Sequence, residues 1–432
     1  MPERNNTRII NDILFVLYVA LFASLIFALR SISSISVALL LAAGIVKNRI
    51  SHKGFFDRSQ LNLMMIFCGL LLLLQFVSLL YTDDMEQGWK NIRLKSGLVI
   101  IPLSICCCHY IDETTRPKLL KWYCAILFTA CFYALYHAVR RYSATHDPSV
   151  FLYHPLVSIY SGHAVQYSIL VFISLLHMFD ALIKKEIVFN RYFDVGLIVF
   201  FLVFLFLLSS KLVIAFFLVY FFYTMIKSFL LKSINAKFIA ISVIALAVFC
   251  LFVFFTQNRI SNRFKEIVQT DFHFIKREKF SPGDYFNGLQ FRLLQWEFVP
   301  GILNETKAWL IGVSPGDAQN YLNQKYIAKN MYIGTVERGD KGFIGYNTHD
   351  QFLESLLETG LIGSLLFLLI CWSLLKMAWE RKNTELTFVT VLLLVYSFSE
   401  SVFETQYSIF IFLFFPLFFY LTKEKKAGCR AF

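Results

Sequence analysis

The 432-residue chain is too apolar for a soluble protein, because its hydrophobic fraction is 57% and its mean hydropathy is +0.60, whereas soluble domains contain roughly 45–50% apolar residues. Its formal net charge of +12 is spread over the gaps between apolar runs, which is typical of membrane topology and predicts no nucleic-acid partner. The nine cysteines lie in or beside apolar segments or in the tail. Since they lack the spacing of metal ligands, we expect no structural disulfide and no metal site.

Apolar runs of about the length that crosses a bilayer as a helix recur along the chain. They predict twelve membrane spans, at 12–29, 32–46, 61–80, 97–110, 119–138, 163–181, 194–209, 211–230, 237–256, 351–375, 385–399 and 405–422. The gaps near 209–211 and 400–404 are the least defined boundaries, so eleven to thirteen spans remain open. The predicted fold is an all-α polytopic membrane protein.

One long polar segment, residues 257–348, separates a bundle of about nine helices in residues 1–256 from about three helices in residues 349–422. If both termini are cytoplasmic, the inside segments hold about three times as many Lys and Arg as the short outside segments, as the positive-inside rule requires. The tail at 423–432 is basic and suits anionic lipid headgroups. We therefore expect residues 257–348 to form a large periplasmic loop between spans 9 and 10.

The loop itself has helical patterns. Apolar and polar residues interleave over 291–302, and Ser314 with Pro315 predicts a capping box that opens a second helix toward Ala328. A loop of this length is usually functional rather than a mere connection.

His349 stands where the loop re-enters the membrane. It is followed by Asp350, nine residues, and then Gly360 and Gly363, which we expect to thin one helix face. This string resembles the signature of the O-antigen ligase and polymerase superfamily of bacterial membrane glycosyltransferases: a His, then Asn, Ser or Gln, nine residues and Gly-x-x-Gly. Asp350 departs from that pattern at the second position.

Other segments resemble the same family in the expected order. Arg292 and Trp296 precede a glycine-containing segment at 310–316, and a turn with two glutamates occupies 399–404. Lys211 follows two serines where the family commonly has Ser-Arg. The resemblance covers roughly residues 150–422.

The resemblance implies a metal-independent, inverting enzyme of the bacterial inner membrane that needs no cofactor. Its donor would be a glycan on undecaprenyl diphosphate. The acceptor would be a lipid A-core sugar in a ligase, or the glycan of another lipid-linked repeat in a polymerase. One dominant outer loop favours the ligase, although both remain open. A lipid-linked glycan flippase or transporter is the alternative from another class, but we find no inverted repeats and no matching broken helices in two halves.

Site roles follow from this chemistry. His349 is the predicted base, since the unperturbed pKa of a His side chain, about 6.5, suits proton transfer near neutral pH. Arg292 and Lys211 are the predicted diphosphate clamp, because Arg grips phosphate bidentately and Lys supplies a point charge. The remaining candidates are Arg141 and His163 for the diphosphate, and Asp350, Glu400, Glu404 and Trp296 as supporting residues. For each charged candidate the plainer interpretation is a solvated or snorkelling side chain at a helix end.

Overall fold

The computed structural model describes residues 2–50, 62–108, 111–112, 114–160, 163–230, 243–244, 270–335 and 340–421. Within these residues all regular secondary structure is helical, which confirms the all-α prediction. Fifteen α-helices have bounds in this part of the chain and are numbered α1 to α15 in order: Pro2–Ile26, Arg30–Ile50, Leu63–Ser78, Met85–Lys95, Gly97–Cys108, Thr115–Thr145, Tyr153–Val157, Ala164–Lys184, Arg191–Leu207, Lys211–Leu230, Gly288–Thr306, Ala318–Ala328, Gln351–Arg381, Thr384–Tyr396 and Gln406–Leu421.

Seven helical segments are long and apolar enough to cross a membrane. They are Thr7–Ile26, Arg30–Ile50, Leu63–Tyr81, Thr115–Thr145, Ala164–Lys184, Lys211–Leu230 and Gln351–Arg381. Four shorter helices, α5, α9, α14 and α15, coincide with further predicted spans. Apart from residues 243–244, the predicted span 237–256 lies outside the described residues, as do the proposed boundary at 256 and the tail at 423–432. The chain is therefore a multi-pass membrane protein, while the count of twelve spans stays a prediction.

The described part of the long loop is built on two helices, α11 and α12. Helix α11 begins with a capping box, in which Asn287 Oδ1 accepts from the backbone N–H of Gln290 at 2.9 Å and Gln290 Oε1 accepts from that of Asn287 at 3.0 Å. Its apolar face packs with α12 in a small core separate from the main bundle core, centred on Leu294, Phe298, Leu322 and Tyr326. Leu357 of α13 belongs to the same core. The loop is therefore packed onto a helix that is long and apolar enough to cross the membrane.

Helix α12 does not begin as the sequence predicts. Its N-cap is Asp317 rather than Ser314, and the Asp317 side chain makes no capping bond. Instead its carboxylate accepts hydrogen bonds from the backbone N–H groups of Asp83 and Asp84, each at 2.9 Å. The predicted helix start after Ser314 is therefore about one turn too early, because the Asp317 carboxylate is bound by the loop before α4. Ser314 still caps the preceding turn, since its Oγ accepts from the backbone N–H of Asp317 at 3.3 Å and donates to Asp317 Oδ2 at 3.0 Å.

Helix α13 is broken at Gly360, which has φ +67° and ψ −160°. Helical geometry stops there, so Gly360 does not thin a helix face as expected but ends one helical segment and starts another. Residues 309–313 lie against this break, and a Cβ on Gly360 would come within 2.4 Å of the Leu310 backbone. The freed backbone groups are satisfied by that segment, through Val313 N–H to Leu357 O at 2.8 Å, Ser314 N–H to Glu358 O at 3.0 Å and Leu361 N–H to Trp309 O at 2.9 Å. Non-helical backbone beside a membrane is tolerated only when it is satisfied in this way.

Candidate active site

Four of the predicted site residues line one cavity of about 280 Å³. Arg292 comes from α11, His349 from the residue pair before α13, Glu400 from the turn after α14, and His163 from the residue before α8. The cavity therefore lies where the long loop meets the ends of three membrane-associated helices. These four side chains are widely separated in sequence and converge only in the fold.

His349 and Glu400 form a pair inside this cavity. His349 Nδ1 lies 3.2 Å from Glu400 Oε1, and both side chains are mostly buried. Burial raises the pKa of Glu400, but the hydrogen bond from His349 and the charges of His349, His163 and Arg292 lower it further, so that the net pKa lies below its ordinary value. Glu400 is therefore ionised at neutral pH. When the imidazole is neutral and its Nδ1–H donates to this carboxylate, Nε2 of His349 is the acceptor nitrogen.

The backbone around His349 is held by its neighbours. His349 has φ +48°, an uncommon conformation for a non-glycine residue. The preceding residue, Thr348, donates both its N–H and its hydroxyl to Glu354 Oε2, at 3.0 and 2.6 Å. The following residue, Asp350, caps α13 by accepting from Phe352 N–H at 2.8 Å. Thus His349 is fixed on both sides, and the structure over-determines a strained backbone position.

Asp350 is nearly fully buried. Burial raises the pKa of its carboxyl, and this effect outweighs the hydrogen bonds from the Leu353 and Phe352 backbone, the charge of Arg292 and the hydrogen bond from Trp296. In the structure, Asp350 caps α13 next to His349, the candidate base. This position is compatible with the supporting role predicted from the sequence. A carboxylate at an N-cap is favoured by the helix dipole as well as by its hydrogen bonds.

Arg292 bridges the loop and the membrane helices. Its Nη1 donates to Gly288 O at 3.1 Å and its Nη2 donates to Ser399 O at 2.9 Å. Among the described residues its buried Nε has no hydrogen-bond partner. The two carbonyls hold the guanidinium in place while leaving N–H donors for an anion, and an Arg has five such donors in all.

Lys211 lines a second cavity of about 340 Å³ that adjoins the first. Arg292, Gly288 and Tyr153 line both cavities. Lys211 is the first residue of α10, and Ser209 and Ser210 before it also line the space. The N-terminus of a long helix with a Lys beside it is a favourable environment for phosphate oxygens.

Arg141, Glu404 and Trp296 are placed differently from the cavity residues. Arg141 donates to Ser158 Oγ at 2.9 Å and to the carbonyls of Val150 and Pro155, so its guanidinium organises the loop after α6. Glu404 pairs with Lys95, and Trp296 is half exposed. None of the three is among the residues that line the two cavities. The predicted diphosphate role of Arg141 therefore has no geometric support, and the roles of Glu404 and Trp296 are at most indirect.

A buried ion network beneath the site was missed from the sequence. Lys95 is fully buried and its Nζ lies 2.6 and 2.5 Å from the two carboxylate oxygens of Glu358 and 2.7 Å from Glu404 Oε1. Carboxylate oxygens of Glu354, Glu358 and Glu404 lie within 4.8 Å of one another. The spacing of Glu354 and Glu358, one helical turn apart within an apolar run, was the available signal, because charges at membrane depth are costly unless paired.

Residues 196–368 match a family model described as O-antigen ligase. The matched range contains Lys211, Arg292 and His349, whereas His163 and Glu400 lie outside it. No curated protein matches the chain. The family match confirms the resemblance noted from the sequence and supports a membrane enzyme of the glycan ligase or polymerase type.

Proposed function

We propose that this protein transfers a glycan from undecaprenyl diphosphate to an acceptor sugar hydroxyl at the periplasmic face of the bacterial inner membrane, because residues 196–368 match a family model described as O-antigen ligase. The observation that carries the proposal is the His349–Glu400 pair, at 3.2 Å, in the cavity that Arg292 also lines. A base, its ionised partner and a phosphate-binding cation are the groups that such a transfer requires.

The donor diphosphate binds between Arg292 and Lys211. Arg292 lines both cavities and Lys211 lines the second, so a diphosphate spanning them meets two cations and the N-terminus of α10. As the bond from the anomeric carbon to the phosphate oxygen breaks, negative charge grows on the leaving diphosphate. Preorganised cations stabilise that charge, and loss of one such donor typically costs roughly 100-fold to 1000-fold in rate.

His349 acts as the general base. The acceptor hydroxyl attacks the anomeric carbon while His349 Nε2 takes its proton, and undecaprenyl diphosphate departs from the opposite side. The ionised Glu400 holds the imidazole through Nδ1 and stabilises the imidazolium that forms. A single displacement of this kind inverts the anomeric centre and forms no covalent enzyme intermediate.

The reaction as proposed uses no metal ion. The one acidic cluster found among the described residues, formed by Glu354, Glu358 and Glu404, is neutralised in part by the ammonium of Lys95, which pairs with Glu358 and Glu404. None of the three carboxylates lines either cavity. Arg292 and Lys211 supply the positive charge that a metal ion provides in other phosphate sites.

The acceptor is proposed to be a lipid A-core sugar, as in a ligase. The test is the lipopolysaccharide ladder of a deletion strain of the source organism, complemented with the wild-type chain or with His349→Ala. Loss of the whole ladder, restored only by the wild-type chain, supports ligation. A ladder reduced to single attached repeats identifies a polymerase instead, and an unchanged ladder contradicts both.

A further inference from the structure

Four aromatic rings of the long loop form one side of the cavity beside His349. We call this set the aromatic wall: Phe286, Phe291, Phe343 and Tyr346. Phe291 and Phe343 are stacked with 5.0 Å between ring centroids, and Phe286 meets Phe343 edge-on at 5.4 Å. The Tyr346 ring lies 5.6 Å from the His349 ring. The wall thus brings an aromatic surface to the proposed base.

Tyr346 is the exposed member of this wall. Phe291 is buried, whereas Tyr346 is 47% exposed. Its backbone is nevertheless fixed, because its carbonyl accepts hydrogen bonds from Tyr326 Oη at 2.9 Å and from Gln319 Nε2 at 3.1 Å. A large ring that is anchored yet left open toward a cavity is the kind of surface that ligand sites use, since pockets combine aromatic walls with a few polar groups.

We propose that Tyr346, backed by Phe343, is the platform on which the acceptor sugar ring stacks. The inference rests on the proposed function, which supplies His349 as the base. One face of a pyranose carries C–H bonds whose slightly positive hydrogens suit the negative face of an aromatic ring. A sugar stacked on Tyr346 keeps its hydroxyls at the ring edge, one of them toward His349.

The distribution of charged and aromatic side chains favours the acceptor sugar, rather than the donor sugar, as the ring that stacks on Tyr346. The cavity around Lys211 shares Arg292 with the first cavity but is lined by no member of the aromatic wall. Lys211 therefore marks a cationic end and the aromatic wall an aromatic end, while Arg292 and Tyr153 line both cavities. The diphosphate occupies the cationic end, and the donor sugar lies next to it because it is bonded to the phosphate. The aromatic end, beside the base, is left for the acceptor.

The first experiment measures sugar binding without catalysis. The full-length protein in detergent is titrated with core oligosaccharide released by mild acid from the lipopolysaccharide of the source strain, and binding is followed by saturation-transfer NMR. Tyr346→Ala should weaken binding roughly three- to tenfold, the factor expected for one aromatic contact. Tyr346→Phe should bind like the wild type, because the ring face is kept. Tyr285→Ala is the matched control, since Tyr285 is 76% exposed on the same loop and lines neither cavity.

Equal binding by Tyr346→Ala and the wild type, or no binding of the oligosaccharide by the wild type, overturns the platform. A wild-type protein that binds the sugar through Tyr346 but transfers no glycan refutes the proposed function and still supports the platform. In a transfer assay, Tyr346→Ala should raise KM for the acceptor and leave KM for the lipid-linked donor unchanged. A rise in the donor KM alone would assign the ring to the donor sugar and overturn the acceptor assignment.

Discussion

His349 Nδ1 and Glu400 Oε1 lie 3.2 Å apart although 51 residues separate them in the chain. The contact joins the segment just before α13 to the turn between α14 and α15. It gives the carboxylate of Glu400, in a turn beside apolar spans, a hydrogen-bonding partner in the imidazole of His349. The pair is therefore the first target for mutation.

Replacing His349 by Ala should lower the rate of glycan transfer roughly 100-fold to 10,000-fold, because no base then accepts the acceptor proton. Binding of the lipid-linked donor should change little, since the proposed mechanism assigns the diphosphate to Arg292 and Lys211. Both are measured on purified protein, as single-turnover transfer and as equilibrium donor binding. His273→Ala is the control, because His273 is exposed on the same loop. Full turnover by His349→Ala would remove the catalytic role and leave an ordinary interfacial histidine.

The lowered pKa of the Glu400 carboxyl predicts that the stability of the folded protein depends on pH. Burial raises the pKa of this carboxyl, but His349, His163 and Arg292 together bring it below its ordinary value of 4.5. In the unfolded chain the carboxyl therefore binds a proton more readily than in the folded protein, so the stabilisation is present above pH 4.5 and is lost as the pH falls through the lowered pKa. Glu400→Gln should unfold at a lower temperature than the wild type at pH 6, and the difference should shrink below pH 4.5. A difference that stays constant over this range would contradict an ionised Glu400. Thermal unfolding in detergent gives the measurement.

Arg292→Lys keeps the positive charge but loses the planar fork. If Arg292 binds the diphosphate with two N–H groups, the substitution should cost about 1.5–3 kcal/mol in donor binding or in kcat/KM, the scale of a hydrogen bond to a charged group. Arg277→Lys is a matched control on the same loop, where the Arg277 side chain is 56% exposed. Equal kinetics for Arg292→Lys and the wild type would show that only charge is needed at this position.

The orientation in the membrane is tested by labelling. A cysteine at Ser281, in the long loop, should react with an impermeant maleimide in intact spheroplasts, whereas cysteines at Lys184 or Arg381 should not. The reason is the excess of Lys and Arg on the side that holds Lys184 and Arg381. The native cysteines at 68, 106, 124, 131 and 371 are buried, and the other four are replaced by serine in all variants so that only the introduced cysteine is labelled. Labelling at Lys184 but not at Ser281 would reverse the topology and move the site to the cytoplasm.

Candidate site residues could be selected from the sequence where the order of segments along the chain resembled the family. Arg292 was selected beside Trp296 in the long loop, and His349, His163 and Glu400 near predicted span ends, and the fold brings all four to one cavity. The length of the apolar runs also predicted most helices of the bundle, since apolar runs of span length have few other structures available.

Pairing between distant segments could not be predicted in the same way. Lys95 and Glu358 are 263 residues apart, and nothing local distinguishes a lysine that pairs inside the protein from one at the membrane surface. The same holds for Arg141, whose guanidinium is taken up by loop carbonyls. Both outcomes depend on which helix ends become neighbours, which a single sequence does not reveal.

Gly360 occupies a position where the fold requires glycine. Its φ of +67° with ψ of −160° belongs to a region that is essentially open only to glycine. A Cβ there would also lie 2.4 Å from the carbonyl carbon and oxygen of Leu310. Because those atoms are backbone, no side-chain rotation relieves the contact.

We therefore expect Gly360→Ala to destabilise the protein by more than about 2 kcal/mol, as a strained backbone conformation and a core clash add together. Gly301→Ala is the matched control, since Gly301 lies in helix α11 with open space around it, and alanine there should be neutral or stabilising. Thermal unfolding in detergent compares the two. Residues 350–359 form the N-cap and the first segment of α13, beside His349. Because a change at Gly360 disturbs this segment, glycan transfer by Gly360→Ala should fall even at temperatures where the variant remains folded. Wild-type stability and transfer in Gly360→Ala would mean that α13 needs no break at this residue and that the loop is held to it by other contacts.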